Sequence, residues 1–139
     1  TESKSMIVLV NSDRLLYNVF GQIPEVAFDI LDCSEKPTTL VLDNPRNVAK
    51  NIIAPDNSLG IRIVETPFCF RLIERMKKPL VSTSANISGA PTPTSFAEIS
   101  DEIKNGVDYI VGLEKDVKRS KSSTVIKLTS DSKVTILRK

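Results

Sequence analysis

The 139-residue sequence has no histidine, no tryptophan, only two cysteines and 5% aromatic residues. Without histidine, Ser-His-Asp and Cys-His nucleophile systems are excluded, and so is every histidine metal site. Cys33 and Cys69 stand apart without CxxC spacing, so neither a zinc site nor a disulfide framework is suggested, and buried free thiols are expected. The longest apolar run, Met6 to Val10, is far short of the roughly 20 residues that cross a bilayer. The polar start Thr1-Glu2-Ser3-Lys4-Ser5 lacks the features of a secretory signal, so no membrane contact and a cytoplasmic location are expected. An excess of one charge is missing too: 19 basic against 17 acidic side chains leave +2, too little to imply a nucleic-acid partner. Catalysis by such a chain must rest on positioning charged substrates with lysine, arginine, hydroxyls and backbone amides.

What is present is an alternation of element types. Met6 to Val10 reads as a strand, Ser12 as the cap of a helix over Asp13 to Phe20, and Pro24 to Leu31 as a second helix. Thr38 to Leu42 is a strand, with a short helix around Val48 to Ile53; Leu59 to Val64 is a strand, and Phe68 to Met76 an amphipathic helix. A buried strand follows at Leu80 to Thr83, then a helix over Ser95 to Lys104 and a strand at Tyr109 to Val111. Two last strands, Thr124 to Leu128 and Val134 to Leu137, form a hairpin across Thr129 to Lys133. The pattern predicts an α/β (α+β) domain spanning 1–139, with a mixed, twisted sheet and flanking helices.

Four passages could carry chemistry. Ser82 to Gly89 packs four hydroxyls and an amide behind an apolar strand, where α/β ligand sites open; it suits phosphate or ribose, or it is a turn that caps its own backbone. It lacks the fixed lysine of a P-loop. Arg62 interrupts an apolar strand and needs an anionic partner if it faces inward; its bland reading is an exposed residue on an edge strand. Ser122-Ser123-Thr124 is a hydroxyl cluster before a strand, by itself a turn, and Arg138 reads as a surface residue. Lys115, Lys118, Arg119 and Lys121 against Asp116 read as a solvated loop or a phosphate-binding patch. Phe68, Phe70 and Phe96 read as core, which leaves no stacking platform for single strands.

Leu80-Val-Ser-Thr-Ser-Ala-Asn-Ile-Ser-Gly-Ala-Pro91 closely resembles the signature of the YrdC-like family, enzymes that make threonylcarbamoyl-adenylate for tRNA modification. Pro37 to Leu42 resembles the family's proline-threonine strand, Ser58 to Arg62 its arginine strand, and Ser123-Thr124-Val125 a third landmark; Ile136-Leu137-Arg138 echoes its closing strand. The resemblance implies a YrdC-like twisted sheet with a concave, positive groove for ATP, L-threonine and bicarbonate, with magnesium accompanying the nucleotide. It places Lys4, Ser58, Ser84, Asn86, Thr92 and Arg138 at nucleotide-binding positions and Arg62, Ser82 and Ser123 at threonine-binding ones. No catalytic residue and no protein metal ligand is implied. The family also carries a Thr-containing strand and a Lys-x-Arg motif that would precede Thr1, so the domain is expected to be N-terminally incomplete. Two other readings follow from the resemblance: a module binding tRNA or double-stranded RNA, and a homologue that binds nucleotide without turnover. Partner proteins of the tRNA-modification pathway are implied as well.

Overall fold

The computed structural model describes residues 5–119 and 123–139. Their elements are β1 (Ile7–Val10), α1 (Asp13–Val19), α2 (Val26–Asp32), β2 (Thr38–Asp43), β3 (Ser58–Ile63), α3 (Pro67–Met76), β4 (Leu80–Ser82), α4 (Asp101–Gly106), β5 (Thr124–Leu128) and β6 (Val134–Arg138), with 3-10 turns at Lys50–Ile52 and Phe96–Glu98. The described residues divide into two compact units, one formed by Ser5–Ser82 with Ser123–Lys139 and the other by residues 83–119.

The larger unit is a six-stranded sheet in the order β4-β1-β3-β2-β5-β6. β1 and β3 run parallel, as do β2 and β5, while β1/β4, β2/β3 and β5/β6 are antiparallel. The expected mixed sheet is therefore present. Its helical face is apolar because alternate strand residues project there: Val8, Val10, Leu40, Leu42, Leu59, Ile61, Ile126 and Leu128 pack with Leu16, Val19, Phe20 and Ala27. The Ser12 hydroxyl accepts from Leu15 N, as its place before the periodic Asp13–Val19 stretch predicts. α3 opens with Pro67 in its first turn and closes on Lys77, whose φ of 55° is a left-handed cap.

Three expectations about this unit change. Leu80–Ser82 is an edge strand with Val81 49% exposed, because only β1 flanks it. Phe68 and Phe70 lie on the outer side of α3, whose buried residue is Ile73. Cys33, at the C-terminal cap of α2, is exposed, and Cys69 is half-buried.

In the smaller unit the expected helix over Ser95–Lys104 is split. Residues 96–98 form a 3-10 turn, Ile99 is extended, and the Ser100 hydroxyl restarts the chain as α4 by accepting from Ile103 N. Tyr109–Val111 is not a strand: the segment has strand propensity, yet it pairs with no strand among the described residues, and Tyr109 is 81% exposed. Lys104 and Lys115 instead set their ammonium groups 4.7 and 5.0 Å from the Phe96 ring centre, and Phe96 is half-buried.

Candidate functional site

The strand register builds the site in the larger unit. Arg62 is on β3, flanked by β1 and β2, so the edge-strand reading of this arginine does not hold. Leu9 pairs with Arg62, Thr39 with Val125 and Val125 with Arg138; the β2/β3 register brings Thr39 opposite Arg62. One row across the sheet thus carries both arginines, on the face away from the apolar core.

The half-buried Arg62 guanidinium donates from Nε and Nη2 to Thr39 Oγ1 at 3.1 and 2.9 Å, and from Nη2 to Ser123 Oγ at 2.5 Å. Arg138 donates from Nη2 to the same Ser123 Oγ at 3.2 Å and from Nε to the Ser123 carbonyl at 2.9 Å. Neither arginine takes part in the two ion pairs formed among the described residues, Arg119–Glu114 and Lys127–Asp56. Burial lowers the Arg62 pKa from its ordinary value, and the neighbouring Arg138 charge adds to that. Two guanidiniums held by hydroxyls, with no carboxylate paired to either among the described residues, form a site suited to a small anion. Arg138, which reads as an ordinary surface residue in the sequence, is exposed but bound into this cluster.

Ser82 ends β4 opposite Ile7 and shares the Arg62 face by register, two strands away. Ser58 is not gathered here. It opens β3, four residues and about 13 Å from Arg62 at the usual strand rise. It is 3% exposed, and its hydroxyl donates to Asp56 Oδ1 at 2.5 Å. Asp56 is in turn held well below its usual range, at about 2, chiefly by its hydrogen bond from Lys127 and then by Ser58. Lys4 lies outside the described residues.

The smaller unit contains the signature loop. Asn86 braces it: Nδ2 donates to the Ile87 and Ala90 carbonyls at 3.2 and 2.8 Å, and Gly89 takes a φ of 85° that favours glycine. Ser84 and Thr92 are exposed. Asn86 and Thr92 line a cavity of about 260 Å³ together with Glu98 and Ser100. The Glu98 carboxylate accepts from Thr94 N at 2.7 Å, which lowers its pKa from the ordinary value. In the basic stretch Arg119 pairs with Glu114, as fits a solvated loop.

A second cavity, about 870 Å³, opens in the larger unit beside α1 and the end of α3, with Asn11, Arg14, Val48, Ile73 and Lys77 in its walls. None of the nucleotide- or threonine-binding positions expected from the sequence lines it. Among the described residues no three of His, Cys, Asp or Glu gather as a metal site. No helix among them is long and apolar enough to cross a membrane.

Thr39 is the site residue that sequence reasoning missed. Its signal is a threonine pair, Thr38-Thr39, leading an otherwise apolar strand; both are buried.

The family Sua5_yciO_yrdC, described as telomere recombination, matches residues 1–139. The chain belongs to the Sua5/YciO/YrdC family. Within it, a relative from Methanocaldococcus jannaschii, named for threonylcarbamoyl-AMP synthase, is 39% identical over 100 residues, which are 72% of this chain and 45% of that one. A threonylcarbamoyl-AMP synthase from Pseudoalteromonas translucida is 32% identical over 83 residues, 60% of this chain and 44% of its own length. The chain therefore spans less than half the length of these curated relatives. Among solved structures, P. abyssi Sua5 complexed with L-threonine superposes with a TM-score of 0.77 at 26% identity, covering 97% of this chain and 39% of that one. The YrdC-like fold expected from the sequence is thus the fold found.

Proposed function

We propose that this family member serves threonylcarbamoyl-AMP synthesis: the L-threonine amine and bicarbonate form a carbamate with loss of water, and a carbamate oxygen attacks the α-phosphorus of ATP as pyrophosphate leaves. The observation that carries the reading is the pairing of Arg62 and Arg138 on Ser123, two cations that no carboxylate among the described residues pairs. A guanidinium that is already desolvated binds a carboxylate more strongly than one in open water. The zwitterion of threonine offers that carboxylate and leaves its amine to react with bicarbonate. The relatives named for this synthase, and the Sua5 crystallised with L-threonine, support the same substrate.

In this reading the signature loop takes the nucleotide. Ser84 and Thr92 are exposed residues of that loop, and the Asn86 brace holds its backbone in shape to meet phosphate oxygens. Magnesium belongs to the phosphates of the nucleotide and supplies charge neutralisation there. The adenylate then donates its threonylcarbamoyl group to tRNA in the cytoplasm, with the help of partner proteins.

The test is pyrophosphate release from ATP by this chain, measured with and without threonine and bicarbonate. Release that needs both, and falls at least about tenfold in Arg62→Ala, is expected. Release indifferent to threonine would overturn the substrate assignment.

A further inference from the structure

Thr39 is 2% exposed, and nothing in the reaction proposed above requires its hydroxyl. Its methyl group is packed: a Cβ built on Gly60 would lie 3.4 Å from Thr39 Cγ2 and 2.9 Å from Ile7 Cγ2. With the methyl held over Gly60, Oγ1 faces Arg62, where it accepts from Nε and Nη2 together. A guanidinium has five N–H donors: one on Nε and two on each terminal nitrogen. Thr39 takes the Nε hydrogen and one from Nη2, and Ser123 takes the other from Nη2. No hydrogen bond among the described residues uses Nη1.

We infer that Thr39 is a positioning residue that locks the Arg62 guanidinium by its Nε/Nη2 edge and leaves Nη1, with both its hydrogens, as the one nitrogen presented to a ligand carboxylate. The edge most often used for bidentate recognition is thereby committed inside the protein. Arg62 meets its ligand through a single nitrogen whose direction is fixed before binding, and the rotamer freedom of a long side chain is already lost. The ligand half of this inference rests on the threonine reading; the locking half does not.

Two measurements separate them. In the ligand-free full chain, the Arg62 Nε–H proton, assigned by its absence in Arg62→Ala, is expected to exchange slowly and to resonate away from the free-arginine position. Thr39→Val, which removes the acceptor while keeping the branched shape, should send it to the free position, and Thr39→Ser should restore it. Fast exchange in the wild-type chain overturns the lock without any variant. In calorimetric titration with L-threonine, Thr39→Val is expected to weaken binding about tenfold, and Thr39→Ser to stay within about twofold of wild type. Unchanged affinity in a folded Thr39→Val, alongside lost binding in Arg62→Ala, overturns the positioning role and leaves the threonine reading intact. Binding indifferent to Arg62→Ala overturns the threonine reading, while the exchange measurement still decides the lock.

Discussion

Arg62 and Arg138 donate to one oxygen, Ser123 Oγ, although they lie on strands at different depths of the sheet, with β2 and β5 between β3 and β6. A single hydroxyl accepting from two cations draws together charges that repel each other, and an arriving anion relieves that repulsion. Arg138→Gln should therefore leave thermal stability within about 0.5 kcal/mol of wild type. The same change should weaken L-threonine binding several-fold, as read by calorimetry. A variant that loses stability and keeps affinity would make Arg138 a structural residue.

Gly60→Ala should destabilise the larger unit. Its new Cβ would approach Ile7 Cγ2 to 2.9 Å and Thr39 Cγ2 to 3.4 Å, and both are confined by neighbouring strands. The cost expected for overpacking is about 1–3 kcal/mol, visible as a lower urea midpoint with an unchanged slope.

Acid should remove one contribution at a defined place. The Asp56 pKa is lowered from 3.8 to about 2 by Lys127 and Ser58, so its stabilising effect is fully present above about pH 4 and is lost as pH falls through 2. Asp56→Asn should flatten the slope of stability against pH between about 4 and 2 in urea titrations and leave the slope above pH 5 unaltered. An unchanged slope below pH 4 would mean that the carboxylate titrates alike in folded and unfolded chains.

Gly89→Ala separates backbone strain from crowding, because no atom beyond its own chain neighbours lies within 4 Å of the added Cβ while φ is 85°. The expected penalty is about 1–2 kcal/mol, confined to the smaller unit and detectable as faster amide exchange from residue 86 to 90. Nucleotide affinity should fall with it, measured by titration with ATP.

Much of this architecture is legible in the residues because the signals are local. Ser12 precedes a 3.6-residue apolar period, and short apolar runs give all six strands within a residue of their observed bounds. The failures share one physical cause. Whether Tyr109–Val111 pairs, whether Leu80–Ser82 is covered and whether Phe68 is buried depend on what lies beside each segment, which propensity does not encode. The site divides in the same way. Arg62 stands out as a cation in an apolar strand, whereas its lock on Thr39 joins residues 23 apart and its contact to Ser123 joins residues 61 apart. Ser58, two turns of pleat away on the same strand, faces its own carboxylate neighbour instead.

The parallel pairing of β2 with β5 has a consequence for synthesis on the ribosome. Residues 5 to 82 are made before residues 123 to 138 and can form β1 to β4, with Thr39 already opposite Arg62. Ser123 and Arg138 follow only after some forty residues of the smaller unit have been made, and only when β5 docks on β2 does the second cation reach its place. A nascent chain thus cannot join the two guanidiniums on Ser123 until β5 and β6 have been released and paired.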